Sequence, residues 1–176
     1  MTTQDNIHDI KLPQSSDWVV RVKENAYNNM AQYGHCTQSI LAAFMEEFGI
    51  KDSLLFRSAG AMQGGLLLSL TCGVHMASMM VLGLMMGREK LEQGHDGYIP
   101  IVMPAQELMN RINSRLGGHS CLELSGVDFT DMSQAMAFVG SEEYEKCLVR
   151  VRDGAEETAL FLKELEEKGE LFRAKA

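Results

Sequence analysis

Four cysteines, Cys36, Cys72, Cys121 and Cys147, are the residues of this 176-residue chain best equipped for chemistry. Thiols exchange disulfides, attack electrophiles once ionised, and bind soft metals. They stand singly and far apart, so the paired Cys-x-x-Cys knuckles of zinc sites and the short runs of ferredoxins are absent. Histidine accompanies three of them, in His35-Cys36, Cys72-Gly73-Val74-His75 and His119-Ser120-Cys121. On a helix, His75 falls one turn beyond Cys72 on the same face. That makes it the candidate proton donor to a thiol, or a metal ligand. Plainer readings stand beside these: a free cysteine also packs as a small hydrophobe, and a buried histidine can serve only to satisfy the core. His35 reads as structural and His119 is open to either role.

A chain of this length buries a core without disulfides, so stability does not account for the cysteines. A net charge of −8 and the lack of any Lys/Arg cluster argue against a nucleic-acid surface. The stretch MTTQDNIHDIKLPQ has neither the basic start nor the apolar run of a secretory signal. The cytoplasm is therefore the expected compartment, where thiols stay free, bind metal or cycle catalytically. Between Ser58 and Gly87 there is no Lys, Arg, Asp or Glu, and a membrane span needs only about 20 apolar residues. Gln63, Gly64, Gly65, Ser69, Thr71, His75 and Ser78 interrupt the stretch and basic residues flank both ends, so a buried central helix is predicted instead.

The apolar spacing predicts an all-α, compact, single-domain multi-helix bundle over residues 15–176, behind a flexible amino-terminal tail over residues 1–14. Ser15-Ser16-Asp17 should cap a helix bearing Trp18, Val22 and Ala26 that ends at Gly34. A second helix begins around His35 to Thr37, with Cys36 in its first turn and Ile40, Phe44 and Phe48 along one face. After a short helix from Ser53 to Ala59, Gly60 and Gly64-Gly65 mark a turn or a close approach to another element. Thr71 opens a helix to about Met86, whose many methionines read as core filling. Gly87 to Ile101 reads as a polar loop, and Pro104 as the first turn of a helix reaching Leu116. HSCLELSGVDF reads as loop. A short helix near Asp131 to Phe138 precedes the longest one, capped by Ser141, whose inward stripe includes Cys147, Leu148, Val151, Ala155, Ala159 and Leu162. Cys36 and Cys72 thus fall at helix beginnings, where free amides favour a thiolate or an anionic group. No phosphate loop, covalent haem motif, nucleophile elbow or His-Glu-x-x-His helix is present.

The segments around the cysteines read GHCTQSILAAF, AGAMQGGLLLSLTCGVHMASMMVLGLMMG, GGHSCLELSG and YEKCLVRV. In these, from Tyr27 to Val151, the chain resembles the bacterial and archaeal family of redox-active proteins named for its C-GCAxxG-C-C pattern. The resemblance implies a helical protein in which Cys36, Cys72, Cys121 and Cys147 ligate an iron–sulfur cluster, a [2Fe-2S] unit, for electron transfer or redox sensing with an unidentified redox partner. Relatives classed with split-Soret cytochromes carry haem motifs that this chain lacks, so no haem is expected. The alternatives are a metal-free thiol/disulfide protein using Cys36 or Cys72, a structural zinc site, and a helical interaction module. A homodimer is expected only as the commonest oligomer.

Overall fold

A computed structural model describes residues 10–171. Among them there are eight α-helices and no strand. The helices are α1 (Trp18–Tyr33), α2 (Cys36–Glu47), α3 (Ser53–Ser58), α4 (Gly73–Met86), α5 (Gly94–Leu116), α6 (Cys121–Ser125), α7 (Met132–Phe138) and α8 (Glu142–Glu167). The all-helical bundle is as the sequence predicts. Helix α4 is apolar on every side, so it has to be surrounded; it packs against α2, α5 and α8, while α1 closes the bundle across α2 and α8. Phe44, Leu82, Ile112, Phe161 and Leu162 are fully buried at the centre of one continuous core. No helix of the described residues is long and apolar enough to cross a membrane.

Local chemistry sets the helix ends. Gly34 and Gly117 take left-handed conformations that stop α1 and α5, and Asp52, Asp131 and Ser141 accept backbone amides at the starts of α3, α7 and α8. Asp17 occupies the cap position of α1 but bonds no amide there; its carboxylate is drawn instead to Arg21, 2.6 Å away. Of the expected tail, residues 1–9 lie outside the described residues. Leu12 is only 2% exposed and Ile10 rests on the same core, so packing begins before Ser15.

Two segments depart from expectation. Gly87 to Ile101 is not one loop: a 3-10 turn at Leu91–Gln93 leads directly into α5, which carries Pro100 and Pro104 in its interior. Each proline lacks an N–H for the carbonyl four residues back. Being four apart, they place both gaps on one side of a half-exposed stretch, where water can take the orphaned carbonyls. The HSCLELSGVDF segment contains helix α6, built on a reciprocal capping box between Ser120 and Glu123.

Candidate functional site: four thiols from four helices

Cys36 opens α2 directly behind its cap, His35, whose Nδ1 accepts the Gln38 amide at 3.2 Å while Nε2–H donates to the Gly60 carbonyl at 3.2 Å. His35 is therefore spent on structure. Cys72 is the cap residue of α4, and Gly73 its first helical residue. Here α4 presses so closely on α2 that a Cβ on Gly73 would collide with Cys36 Sγ and stand 2.6 Å from Thr37 Oγ1. The buried Thr37 hydroxyl shares its proton between the carbonyls of Met62 at 3.1 Å and Gly73 at 3.2 Å, tying that contact together.

Cys121 opens α6 and is fixed beside Cys72 by the backbone. An isolated antiparallel bridge joins Thr71 to Ser120, the Cys72 amide donates to the His119 carbonyl at 2.8 Å, and the Cys121 amide donates to the Leu70 carbonyl at 2.5 Å. Cys147 comes from the second turn of α8 and is half-buried, with Arg150 Nη1 3.6 Å from its sulfur.

A left-handed turn adjoins this group. Gly64, Gly65, Leu66, Leu67 and Ser69 all have φ between 58° and 62°, a region strained for any residue with a side chain. Ser69 Oγ anchors the turn, accepting the Phe129 amide at 2.7 Å and donating to the Val127 carbonyl at 3.1 Å, while the Phe129 ring covers Gly64. A Cβ on Gly65 would lie 2.9 Å from Cys121 Cβ, so the turn is seated against that cysteine.

All four cysteines are free. Burial pushes every thiol up: Cys36 with relief from the Gly64 amide and the Thr37 hydroxyl, Cys72 well above the ordinary thiol range, Cys121 to about 11, and Cys147 with relief from Arg150. Part of the rise is mutual. A charge on Cys36, Cys121 or Cys147 disfavours one on Cys72; Cys36 and Cys147 oppose Cys121; Cys36 opposes Cys147. Every pair of the four is within electrostatic reach, although they come from helices far apart in sequence.

His75 is fully buried, its Nε2 2.8 Å from Asn113 Oδ1. Nε2 thus carries the proton, and Nδ1 has no partner among the described residues. Burial pushes the imidazole below its usual value, so it is neutral near pH 7. His119 is exposed, and its Nδ1 lies 3.6 Å from Glu123; its contribution to the site is its carbonyl. Among the described residues no three of His, Cys, Asp and Glu are grouped to hold a single metal ion.

The sequence misses three parts of this site. Helix α6 has a readable signal, Ser120-x-x-Glu123. The pinning of Cys72 to Cys121 is a backbone contact between distant segments and has none. Arg150 stands three residues after Cys147 on one helix, a spacing that makes the two neighbours and is readable once α8 is predicted.

The described residues form a helical bundle that brings free thiols from four helices toward one end of α2 and α4. Residues 34–160 match the model of the family described as "Putative redox-active protein (C_GCAxxG_C_C)", and the chain belongs to that family. No curated protein and no solved structure matches the chain.

Proposed function

We propose that Cys36, Cys72, Cys121 and Cys147 hold a [2Fe-2S] centre and that the protein transfers or senses electrons through it. The observation that carries this reading is the approach of the thiol-bearing helix starts: α4 is pressed at Gly73 against Cys36 Sγ, the Thr71–Ser120 bridge pins Cys72 beside Cys121, and the field of Cys147 reaches both. Four sulfur donors are the set that iron–sulfur clusters take. Two irons ask two thiolates each, so such a centre does not require three ligands already arranged around one ion. The cluster, when bound, supplies a reversible one-electron couple. The chain supplies the rest. Burial of Cys72 and Cys121 excludes water, and Thr37 with the Thr71–Ser120 bridge holds the backbone. The first turns of α2 and α4 bring positive dipole ends to Cys36 and Cys72. His75, neutral and with Nδ1 unpartnered, is the group able to take and return a proton. Four free thiols suit a reducing compartment such as the cytoplasm.

Anaerobic reconstitution with iron and sulfide tests the reading. Visible absorption, with iron and sulfide bound in equal amounts per chain, is the expected result; a colourless, iron-free protein refutes it. A metal-free thiol/disulfide couple is the second reading, favoured by the lack of a three-ligand grouping among the described residues. It predicts one thiol alkylated much faster than the rest near neutral pH, and a disulfide after mild oxidation.

A further inference from the structure

Helix α8 is rich in acids, and the arginines around it are engaged by them. Arg111 takes Glu157 and Glu164, Arg115 takes Glu156, and Arg152 takes Asp153, each at 3.0 Å or less. Arg150 does otherwise. Asp153, one turn further on, is already shared by Arg152 and Arg115, and Glu142 and Glu143, two turns back, are held by Lys146. Among the described residues Arg150 makes no ion pair with a carboxylate, although its field reaches Glu143; its hydrogen-bond partner is Cys147 Sγ, at 3.6 Å. A neutral thiol is a weak acceptor for a half-buried guanidinium, whereas a sulfur carrying negative charge makes a charge-assisted bond roughly twice as strong. The field of the same guanidinium also reaches Cys121. Among the described residues the guanidinium thus acts on the Cys147 and Cys121 side of the four-thiol group.

We propose that Arg150 is a positioning residue that stabilises negative charge on the Cys147 and Cys121 side of the metal–thiolate centre and so raises its reduction potential. The inference rests on the iron–sulfur reading above. On reduction the centre accepts one electron from an external donor, dithionite in the test below, and no bond is made or broken. The added negative charge is nearest to compensation where Arg150 lies. Hydrogen bonds to cluster sulfurs and net charge are the levers that set such potentials.

The test is a redox titration of the reconstituted full chain, followed by low-temperature EPR, for wild type, Arg150→Gln, Arg150→Lys and Arg152→Gln. Arg150→Gln should bind iron and sulfide as the wild type does and be about tenfold harder to reduce, a fall of about 59 mV for one electron. Arg150→Lys should recover part of the fall. Arg152→Gln, which removes the same charge two residues away, should leave the potential near that of wild type. If Arg150→Gln loads no cluster, loading by Arg150→Lys supports the role of the charge, and failure of both with a native melting curve overturns a tuning role. A wild-type chain that takes up no iron overturns the proposed function and this inference with it. A wild-type chain that loads, with a potential unmoved by Arg150→Gln, overturns the role of Arg150 alone.

Discussion

Replacing Gly73 by alanine measures how tightly α4 is pressed on α2 beside the thiols. In an ordinary helix the exchange gains about 0.5–1 kcal/mol, because alanine has less conformational freedom to lose. Here the new methyl would overlap Cys36 Sγ, stand 2.6 Å from Thr37 Oγ1 and lie 3.4 Å from the Met62 carbonyl. Thr37 cannot turn aside without giving up its hold on the Met62 and Gly73 carbonyls. Overpacking of this kind costs about 1–3 kcal/mol, so from the centres of the two ranges a net loss of about 1 kcal/mol remains. For a domain of this size each kcal/mol moves the melting temperature by about 2–4 °C, so Gly73→Ala should melt about 2–4 °C lower. The assay is urea or thermal unfolding of the metal-free protein, run as a double-mutant cycle with Cys36→Ala. Taking the sulfur away removes the worst overlap, so the cost of Gly73→Ala should shrink in that background by about 1 kcal/mol. A Gly73→Ala variant as stable as wild type, or one equally damaged with and without the Cys36 sulfur, would refute the close approach.

Three further outcomes follow from the same geometry. Since the fold holds His75 neutral, the unfolded chain binds a proton that the native chain refuses. The stabilising effect is complete above the ordinary value of 6.5 and is lost as pH falls below it toward the lowered native value. Unfolding free energy should therefore decline from about pH 7 to about pH 5 in wild type and decline less in His75→Gln, and equal slopes would count against a buried neutral imidazole. Ser120→Ala removes a cap that accepts the Glu123 amide at 3.1 Å; it should cost about 0.5–2 kcal/mol and speed alkylation of Cys121, while unchanged labelling would mean that α6 does not guard that thiol. Leu66→Gly and Leu67→Gly each relieve a left-handed leucine whose side chain is exposed. Each should raise stability by about 0.5–1 kcal/mol in urea melts, and a clear loss would indicate that these leucines are held by packing.

The helices were legible wherever a period of three to four apolar residues ran between recognisable caps. That holds for α1, α2 and α8, whose buried positions Val22, Ile40 and Val151 recur at helical spacing. Helix α5 was obscured because proline and glycine in Gly94 to Pro104 speak locally for a loop, whereas packing of α5 on α4 and α8 decides for a helix. Placing Cys36 and Cys72 at helix starts needed only capping rules. That they meet needed the fold, since it depends on α4 crossing α2 at Gly73. The left-handed turn had its glycines for a signal, but nothing in Leu66, Leu67 or Ser69 announces a positive φ. Ser69 is held there by the Phe129 amide and the Val127 carbonyl, some sixty positions away.

The Thr71–Ser120 bridge carries a consequence for how the site is filled and emptied. No local stretch of the chain contains two of the four cysteines, so an unfolded chain offers no chelating pair. Whatever the thiols bind together can be gripped only after segments on both sides of α5 have been brought edge to edge. Occupancy and global folding are then linked equilibria, in which the bound species, once in excess, stabilises the native state in proportion to the logarithm of its concentration. Release by heat or denaturant should come as a single cooperative event, with no half-liganded fragment left behind.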